Sequence, residues 1–224
     1  MAHEENKAFL RRVPLLASLS ESQLDALAAG SVRRAFPKGR TIVAEGEPSQ
    51  SLYILLSGRA KVQRSDADGK EVILAVLGPG ECFGEMSLID DAPRSASVIT
   101  LESCDFMAIN KDSFKAMMAQ SHDMAMKIMK GLVKRLREAD KKIETLALLD
   151  VYGRVARVLL DFSEQVGGER VVKSKLPRQE IAKMIGASRE MVSRVMKGLE
   201  VDGYIVPAPE GRLVLREKLS SYLH

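Results

Sequence analysis

The sequence of 224 residues predicts an α+β fold in three consecutive parts: an N-terminal β jelly roll, one long helix and a C-terminal winged helix-turn-helix domain. Short apolar runs, separated by turn residues at intervals of about 8 to 12, fill the region from Ser31 to Ile109 and are typical of an antiparallel double sheet. A heptad pattern of apolar residues follows, and then two helical segments are joined by a three-residue turn. The expected domain boundaries are 1–120, 121–150 and 151–224.

The N-terminal part is predicted to begin with short helices between residues 4 and 30. Ser20 and Gln23 have the spacing of a capping box, and Gly30 is placed to end the second helix. We interpret the strands that follow as two packed sheets of a jelly roll. The expected strands are 41–43, 52–56, 60–62, 72–77 and 97–99, and the turns between them contain glycines 39, 46, 58, 69 and 80.

The long helix is predicted from a 4-3 spacing of apolar residues that is held through three heptads. A seam this narrow, with charged neighbours, is suited to a partner helix, so we expect a homodimer along it. A helix in the core of its own domain is the alternative. Arg135 and Asp140 occupy g and e positions that meet across a parallel coil. Beyond the seam, residues 150–154 are the expected hinge, because Gly153 can absorb backbone rotation there. The seam consists of Ala125, Met129, Leu132, Leu136, Ala139, Ile143 and Leu146.

The positive charge of the chain is concentrated in its C-terminal third. Residues 1–150 hold 21 Lys and Arg against 21 Asp and Glu, whereas residues 151–224 hold 13 against 9. Residues 169–197 contain eight basic residues, Lys175 among them, and only three acidic ones. This local density predicts a surface that contacts the phosphates of a polyanion.

Neither a catalytic nor a metal site is expected. The three histidines, His3, His122 and His224, lie outside the strand region, and no Ser/His/Asp set or paired-carboxylate motif is visible. Cys82 and Cys104 are too few and too far apart for a disulfide framework or a compact metal motif, so we interpret them as packing residues.

The sequence shows no membrane segment. No apolar run approaches the roughly 18 residues that a membrane span needs. Residues 1–7 lack the basic and apolar regions of a secretion signal. We therefore expect a cytoplasmic protein without a membrane partner.

One segment of the roll, residues 83–98, has the composition of a phosphate site. Gly84 allows close backbone approach, and a short helix beginning near Glu85 directs backbone N–H groups outward. Arg94 and Ser95 add a guanidinium fork and a hydroxyl. Glu85 suits an anion site only if it accepts hydrogen bonds from hydroxyls, and a ribose supplies these. A surface turn with an Arg–Glu ion pair is the alternative.

The C-terminal part has helix-turn-helix spacing. A helix starts at Pro177, a turn follows at 186–188, and Ser188 caps a second helix that runs to about Val201. Strands at 204–206 and 212–215 are expected to form a wing. A solvated face on an ordinary helical hairpin is the alternative. The second helix is predicted to bury Val192, Val195, Met196 and Leu199 and to expose Glu190, Ser193, Arg194 and Lys197, with Arg189 at the boundary.

The segment 83–98 closely resembles the phosphate-binding cassette of cyclic-nucleotide-binding domains, as found in the cyclic-AMP receptor protein and FNR (CRP/FNR) family of bacterial transcription regulators. The resemblance implies that Glu85 binds the ribose 2′-hydroxyl. It also implies that Arg94 and Ser95 bind the cyclic phosphate, helped by backbone amides from Gly84 to Met86.

The helix-turn-helix resembles the same family, and the order of the three parts extends the likeness over almost the whole chain. In members of the family that bind cyclic AMP, adjacent Thr and Ser on the long helix read the adenine, but Ala139 and Asp140 stand at the matching positions here. Asp140 either accepts from a purine base or pairs with Arg135 of the other subunit. The resemblance implies that Arg189, Glu190 and Arg194 read base edges, that Arg178, Gln179 and Ser188 contact phosphates, and that Met191 replaces a Thr.

These features predict a homodimeric transcription regulator gated by a cyclic nucleotide, with cyclic AMP as first choice. The same architecture responding to cyclic di-GMP, or to no ligand, is an alternative. A cyclic-nucleotide-binding regulatory subunit that acts on a protein is a more distant one. The expected partners are double-stranded DNA with a pseudo-palindromic operator, a second copy of the chain and RNA polymerase.

Overall fold

The computed structural model describes residues 2–11, 13, 16, 19–173 and 176–223; Lys175 of the basic stretch lies outside these residues. The chain forms two compact units, residues 1–134 and 135–224. Each unit is described by itself.

The first unit begins with two helices, α1 (Ala2–Arg11) and α2 (Glu21–Ala29). The predicted capping box is confirmed, because the Ser20 hydroxyl accepts from the Gln23 N–H and the Gln23 side chain accepts from the Ser20 N–H. Gly30 ends α2 as expected.

Eight strands form two four-stranded antiparallel sheets, in the orders β1-β8-β3-β6 and β2-β7-β4-β5. The five turn glycines, at 39, 46, 58, 69 and 80, all have positive φ, as the turns predicted. The cores lie between the two sheets and under α1 and α2. The strands are β1 (Ser31–Phe36), β2 (Thr41–Val43), β3 (Ser51–Ser57), β4 (Ala60–Ser65), β5 (Glu71–Leu77), β6 (Cys82–Phe83), β7 (Ser97–Thr100) and β8 (Cys104–Asn110).

Three helices complete this part of the chain: α3 (Met86–Ile89), α4 (Lys111–Gln120) and α5 (His122–Leu148). A single residue, Ser121, joins α4 to α5, and the helix α5 continues into the second unit. The buried side of α5 near its start consists of Met124 and Ile128. The predicted seam is exposed along most of the helix, and Leu136 and Ile143 are 62% and 65% exposed.

The second unit contains α6 (Val151–Asp161), α7 (Arg178–Ile185) and α8 (Arg189–Val201). Its sheet has the order β11-β12-β10-β9. The predicted wing corresponds to β11 and β12. The strands are β9 (Glu164–Val166), β10 (Glu169–Val172), β11 (Ile205–Pro207) and β12 (Leu213–Leu215).

One prediction in the second unit differs from the structure. The expected hinge, residues 150–154, is helical from Val151 onward: Gly153 lies inside α6, and the Asp150 carboxylate caps this helix by accepting the Gly153 N–H at 2.8 Å. A Cβ on Gly153 would lie 2.6 Å from the backbone oxygen of Tyr222, so the glycine permits close packing. Gly167 and Gly168 both have positive φ and form the turn between β9 and β10.

Candidate functional site

The cassette turns at Gly84, between β6 and α3. Gly84 has φ +87°, and a Cβ at this position would lie 2.0 Å from Nη1 of Arg94. The Gly84 carbonyl oxygen accepts a hydrogen bond from the same Nη1 at 3.0 Å. Glycine is therefore needed for its backbone angle and for the space that Arg94 occupies.

Arg94 is only 6% exposed. Its Nη2 donates to the Ser51 backbone oxygen at 2.6 Å, and its guanidinium carbon lies 5.9 Å from the ring centroid of Tyr53. Burial lowers the pKa of Arg94, while Tyr53 and Glu85 act in the opposite direction. Both hydrogen bonds go to neutral carbonyl oxygens, so they orient the guanidinium without neutralising it. Its remaining N–H groups suit an anion.

The backbone of Arg94 is held as firmly as its side chain. Its N–H donates to the Glu47 oxygen at 2.9 Å, and its own oxygen accepts from Gly46 at 2.9 Å. The Ser87 hydroxyl donates to the oxygen of Pro93 at 3.2 Å. The loop that presents Arg94 is therefore tied to the β2–β3 connection and to α3.

Glu85 is 2% exposed and is the N-cap residue of α3. Its backbone oxygen accepts hydrogen bonds from the N–H groups of Leu88 and Ile89, each at 3.0 Å. A surface turn is thus the wrong interpretation of this segment, because both Glu85 and Arg94 are buried. Met86 and Ser95 are exposed.

The structure brings Gly84, Glu85 and Arg94 together in the first unit. Arg135 and Asp140 lie on the part of α5 that belongs to the second unit, where Arg135 is half-buried and Asp140 is exposed. The ligand-binding roles of these residues, and those of Met86 and Ser95, stay predictions.

The helix-turn-helix is built as predicted. The helix α7 ends at Gly186, which has φ +65°, and the Ser188 hydroxyl caps α8 by accepting the Met191 N–H at 3.1 Å. The four predicted inward residues of α8, Val192, Val195, Met196 and Leu199, are all buried.

The opposite face of α8 exposes charged side chains. Arg189, Glu190, Arg194 and Lys197 are exposed, and Ser193 is half-buried with its hydroxyl donating to the Arg189 oxygen at 2.9 Å. On α7, Arg178 is half-buried and Gln179 is exposed; Ser188 is exposed in the turn. These side chains are of the chemical types that can read base edges and contact phosphates, and the individual DNA contacts stay predictions.

Sequence reasoning missed several residues around these sites. Ser51, Tyr53 and Glu47 position Arg94, and Glu200 and Val201 line a surface depression together with Arg178, Ser193 and Lys197. Tyr53 lies in a predicted strand, yet no pattern in the sequence indicates that it faces Arg94.

Comparisons with known proteins identify the same two kinds of domain. Two family models match: the cyclic nucleotide-binding domain over residues 33–121 and the Crp-like helix-turn-helix domain over residues 153–221. A CRP-like cAMP-activated global transcriptional regulator of Mycobacterium tuberculosis is 36% identical over 184 residues, 80% of this chain and 81% of that protein. The chain belongs to the CRP/FNR family of transcription regulators. The family consists of regulators and not of enzymes, as the sequence predicted.

Two further CRP/FNR proteins extend the likeness over more of the chain. The cyclic AMP receptor protein of Thermus thermophilus is 35% identical over 204 residues, 91% of this chain and 93% of that protein. The structure of the c-di-GMP responsive global regulator CLP of Xanthomonas campestris superposes with a TM-score of 0.73 at 29% identity, covering 88% of this chain and 99% of that one. The predicted fold, a cyclic-nucleotide-binding jelly roll, a long helix and a winged helix-turn-helix, is confirmed. In the part of the chain that the structure describes, no helix combines the length and apolarity of a membrane span.

Proposed function

We propose that this CRP/FNR regulator is a homodimer whose cassette binds a cyclic nucleotide, cyclic AMP first, and thereby controls its affinity for DNA. The observation that carries the proposal is the buried guanidinium of Arg94 beside the buried carboxylate of Glu85 at the Gly84 turn. Arg94 attracts an anion because both of its side-chain hydrogen bonds go to neutral carbonyl oxygens. Glu85 tolerates that anion if ribose hydroxyls donate to it. A cyclic nucleotide offers both groups in one molecule.

The residues expected to recognise the nucleotide base leave a second effector open. Ala139 cannot hydrogen-bond a base, whereas the carboxylate of Asp140 accepts from guanine N–H groups. This favours cyclic di-GMP as the alternative effector, and the CLP protein, a structural relative, is named as c-di-GMP responsive. The curated relatives named above are cAMP-activated or cyclic AMP receptor proteins.

Titration calorimetry with cyclic AMP, cyclic GMP and cyclic di-GMP tests the effector. We expect cyclic AMP to bind the native chain and Arg94→Ala to weaken it by about 100-fold or more, since a charged fork to phosphate is lost. Arg64→Ala is the matched control, because Arg64 is an exposed arginine of the same unit that pairs with Glu45. If Arg94→Ala and Arg64→Ala bind cyclic AMP equally well, the assignment of Arg94 to the phosphate site is wrong. If the native chain binds only cyclic di-GMP, that nucleotide replaces cyclic AMP as the effector.

Dimerisation is supported by the exposed seam of α5. Leu136 and Ile143 are seven residues apart on one face of a 27-residue helix, and both are largely exposed in the single chain. Such side chains are covered when the same face of a second copy packs against them, and Arg135 then approaches Asp140 of that copy. Sedimentation of the chain as a monomer at micromolar concentration, with and without nucleotide, contradicts the dimer.

The DNA-binding role uses the exposed face of α8 in two copies. Two recognition helices of a dimer enter adjacent major grooves, roughly 34 Å apart, of a pseudo-palindromic site. Arg189, Glu190, Ser193, Arg194 and Lys197 then face base edges, and Arg178, Gln179 and Ser188 lie near phosphates. RNA polymerase is the expected partner at the promoter, and a regulator bound to chromosomal DNA is expected in the cytoplasm.

A gel shift at several salt concentrations separates this role from that of a regulatory subunit acting on a protein. We expect binding to random DNA that weakens steeply with salt, and tighter operator binding when cyclic AMP is added. No binding to DNA at low salt contradicts the proposal. Equal operator affinities with and without the nucleotide remove the ligand control but leave the DNA-binding role.

A further inference from the structure

Asp91 is the one residue other than glycine with positive φ in the described part of the chain. Its φ is 57°, in the left-handed region that costs an L-residue free energy, although aspartate tolerates it better than most. Asp91 lies between α3 and Arg94, within the cassette. A conformation of this kind persists when surrounding contacts hold it.

Two lysines of α4 supply these contacts. Nζ of Lys111 lies 2.6 Å and Nζ of Lys115 lies 3.1 Å from Oδ1 of Asp91. The two lysines are four residues apart and so share one face of the helix. Both lower the pKa of Asp91, which is therefore ionised near neutral pH. The preceding Asp90 accepts the Ala92 N–H at 3.0 Å and tightens the same turn.

The ion pairs connect the cassette to the start of the long helix. Arg94 follows Asp91 by three residues, and α4 is followed by α5 through Ser121 alone. The Ser121 N–H donates to the Met117 oxygen at 3.0 Å, and its own oxygen accepts from Ala125 at 3.1 Å, so the junction is hydrogen-bonded on both sides. All of these residues belong to the first unit.

We propose that Asp91 is a positioning residue for nucleotide binding: its carboxylate anchors the loop that carries Arg94 to Lys111 and Lys115 of α4. The expected consequence is that an ion pair outside the phosphate site influences the affinity for the nucleotide. This consequence rests on the proposed function, in which the cassette binds a cyclic nucleotide. The same contact makes the position of α4, and with it the start of α5, sensitive to movement of the loop.

Two variants distinguish an anchor from a turn-former. Asp91→Asn keeps a side chain that tolerates positive φ but removes the charge, and Asp91→Gly removes the backbone cost together with the charge. A residue that only forms the turn is replaced by glycine without loss. An anchor is lost in both variants. Asp68→Asn, at an exposed turn residue of the β4–β5 hairpin, is the matched control.

Hydrogen exchange on the ligand-free chain tests the anchor without any nucleotide. The backbone N–H of Arg94 donates to the Glu47 oxygen, and the backbone N–H of Gly46 donates to the Arg94 oxygen. Exchange of these two amides reports opening of the loop that carries Arg94. We expect their protection to fall by about threefold or more in Asp91→Asn and Asp91→Gly, and to stay unchanged in Asp68→Asn. Unchanged protection in both Asp91 variants overturns the proposal.

Calorimetry with cyclic AMP tests the consequence. We expect each Asp91 variant to bind about three- to tenfold more weakly at low salt, and the difference from the native chain to shrink at high salt because exposed ion pairs are screened. Changing Lys111 and Lys115 to Gln should reproduce the loss, and combining these changes with Asp91→Asn should add little to it. Native affinity in Asp91→Gly, or full additivity, overturns the positioning role. If the native chain binds no cyclic AMP, the effector assignment fails while hydrogen exchange still decides the anchor.

Discussion

Replacing Gly84 with alanine is the sharpest test of the cassette geometry. The new Cβ would lie 2.0 Å from Nη1 and 3.0 Å from Cζ of Arg94, and 3.1 Å from the backbone oxygen of Ser51. The Ser51 oxygen belongs to β3 and cannot move far, so the Arg94 side chain has to leave its position. We therefore expect Gly84→Ala to act through Arg94.

The magnitude follows from two contributions. Alanine at φ +87° costs ~1–2 kcal/mol of backbone strain. Displacing Arg94 breaks its hydrogen bonds to the Gly84 and Ser51 oxygens, and a hydrogen bond to a charged group contributes ~1.5–3 kcal/mol. Losing one comparable bond to the phosphate weakens cyclic AMP binding by about 10- to 100-fold.

Gly69→Ala is the matched control, because Gly69 has φ +77° and no described atom lies within 4 Å of its added Cβ. Gly69→Ala therefore introduces the same kind of backbone strain as Gly84→Ala but no steric clash. We expect urea denaturation to show a loss of unfolding free energy for Gly84→Ala that exceeds the loss for Gly69→Ala by at least ~1.5 kcal/mol. Calorimetry should show weakened cyclic AMP binding for Gly84→Ala alone. Equal losses of stability and native affinity in both variants would refute the reasoning that Gly84 makes room for a phosphate-binding Arg94.

Two further predictions concern the dimer and the DNA. Leu136→Asp places like charges at the seam of two copies while changing a side chain that is exposed in one copy, so sedimentation should show a monomer that keeps its helical circular dichroism; a persistent dimer contradicts the seam. Arg189→Ala should cost ~1–3 kcal/mol on the preferred base pair alone, and Arg178→Ala should weaken binding to all sequences, as gel shifts with single-base operator variants will show. Uniform weakening by Arg189→Ala marks it as a phosphate contact.

The strands predicted from short apolar or alternating runs did not include every strand of the roll. The strand β3 was predicted from residues 52–56, whereas β8 was missed although it pairs with both β1 and β3. Four successive residues of β8, from Phe106 to Ile109, are buried, so the alternation that identifies a half-buried strand is absent. The strand β1 was missed for the opposite reason, because Arg33 and Arg34 are exposed and only pairing with β8 makes the segment a strand.

The role of a glycine could be predicted where local backbone geometry requires it. It could not be predicted where the glycine is required by packing against a distant part of the chain. The turn glycines of the roll were placed correctly because tight turns require positive φ. Gly153 was predicted to serve the hinge at 150–154, whereas in the structure it permits close packing against the backbone of Tyr222, far along the chain. The strand β9 was not predicted, because its three exposed residues carry no pattern that indicates a strand.

The same division explains how much of the cassette was visible. Gly84, Glu85 and Arg94 are close in sequence, so their chemistry could be read as one motif. The groups that fix Arg94, the Ser51 oxygen and the Tyr53 ring, come from another strand, and the lysines that hold Asp91 come from a helix after the roll. A sequence motif therefore identifies the groups that contact a ligand, whereas the strength of that contact depends on distant residues that a motif does not contain.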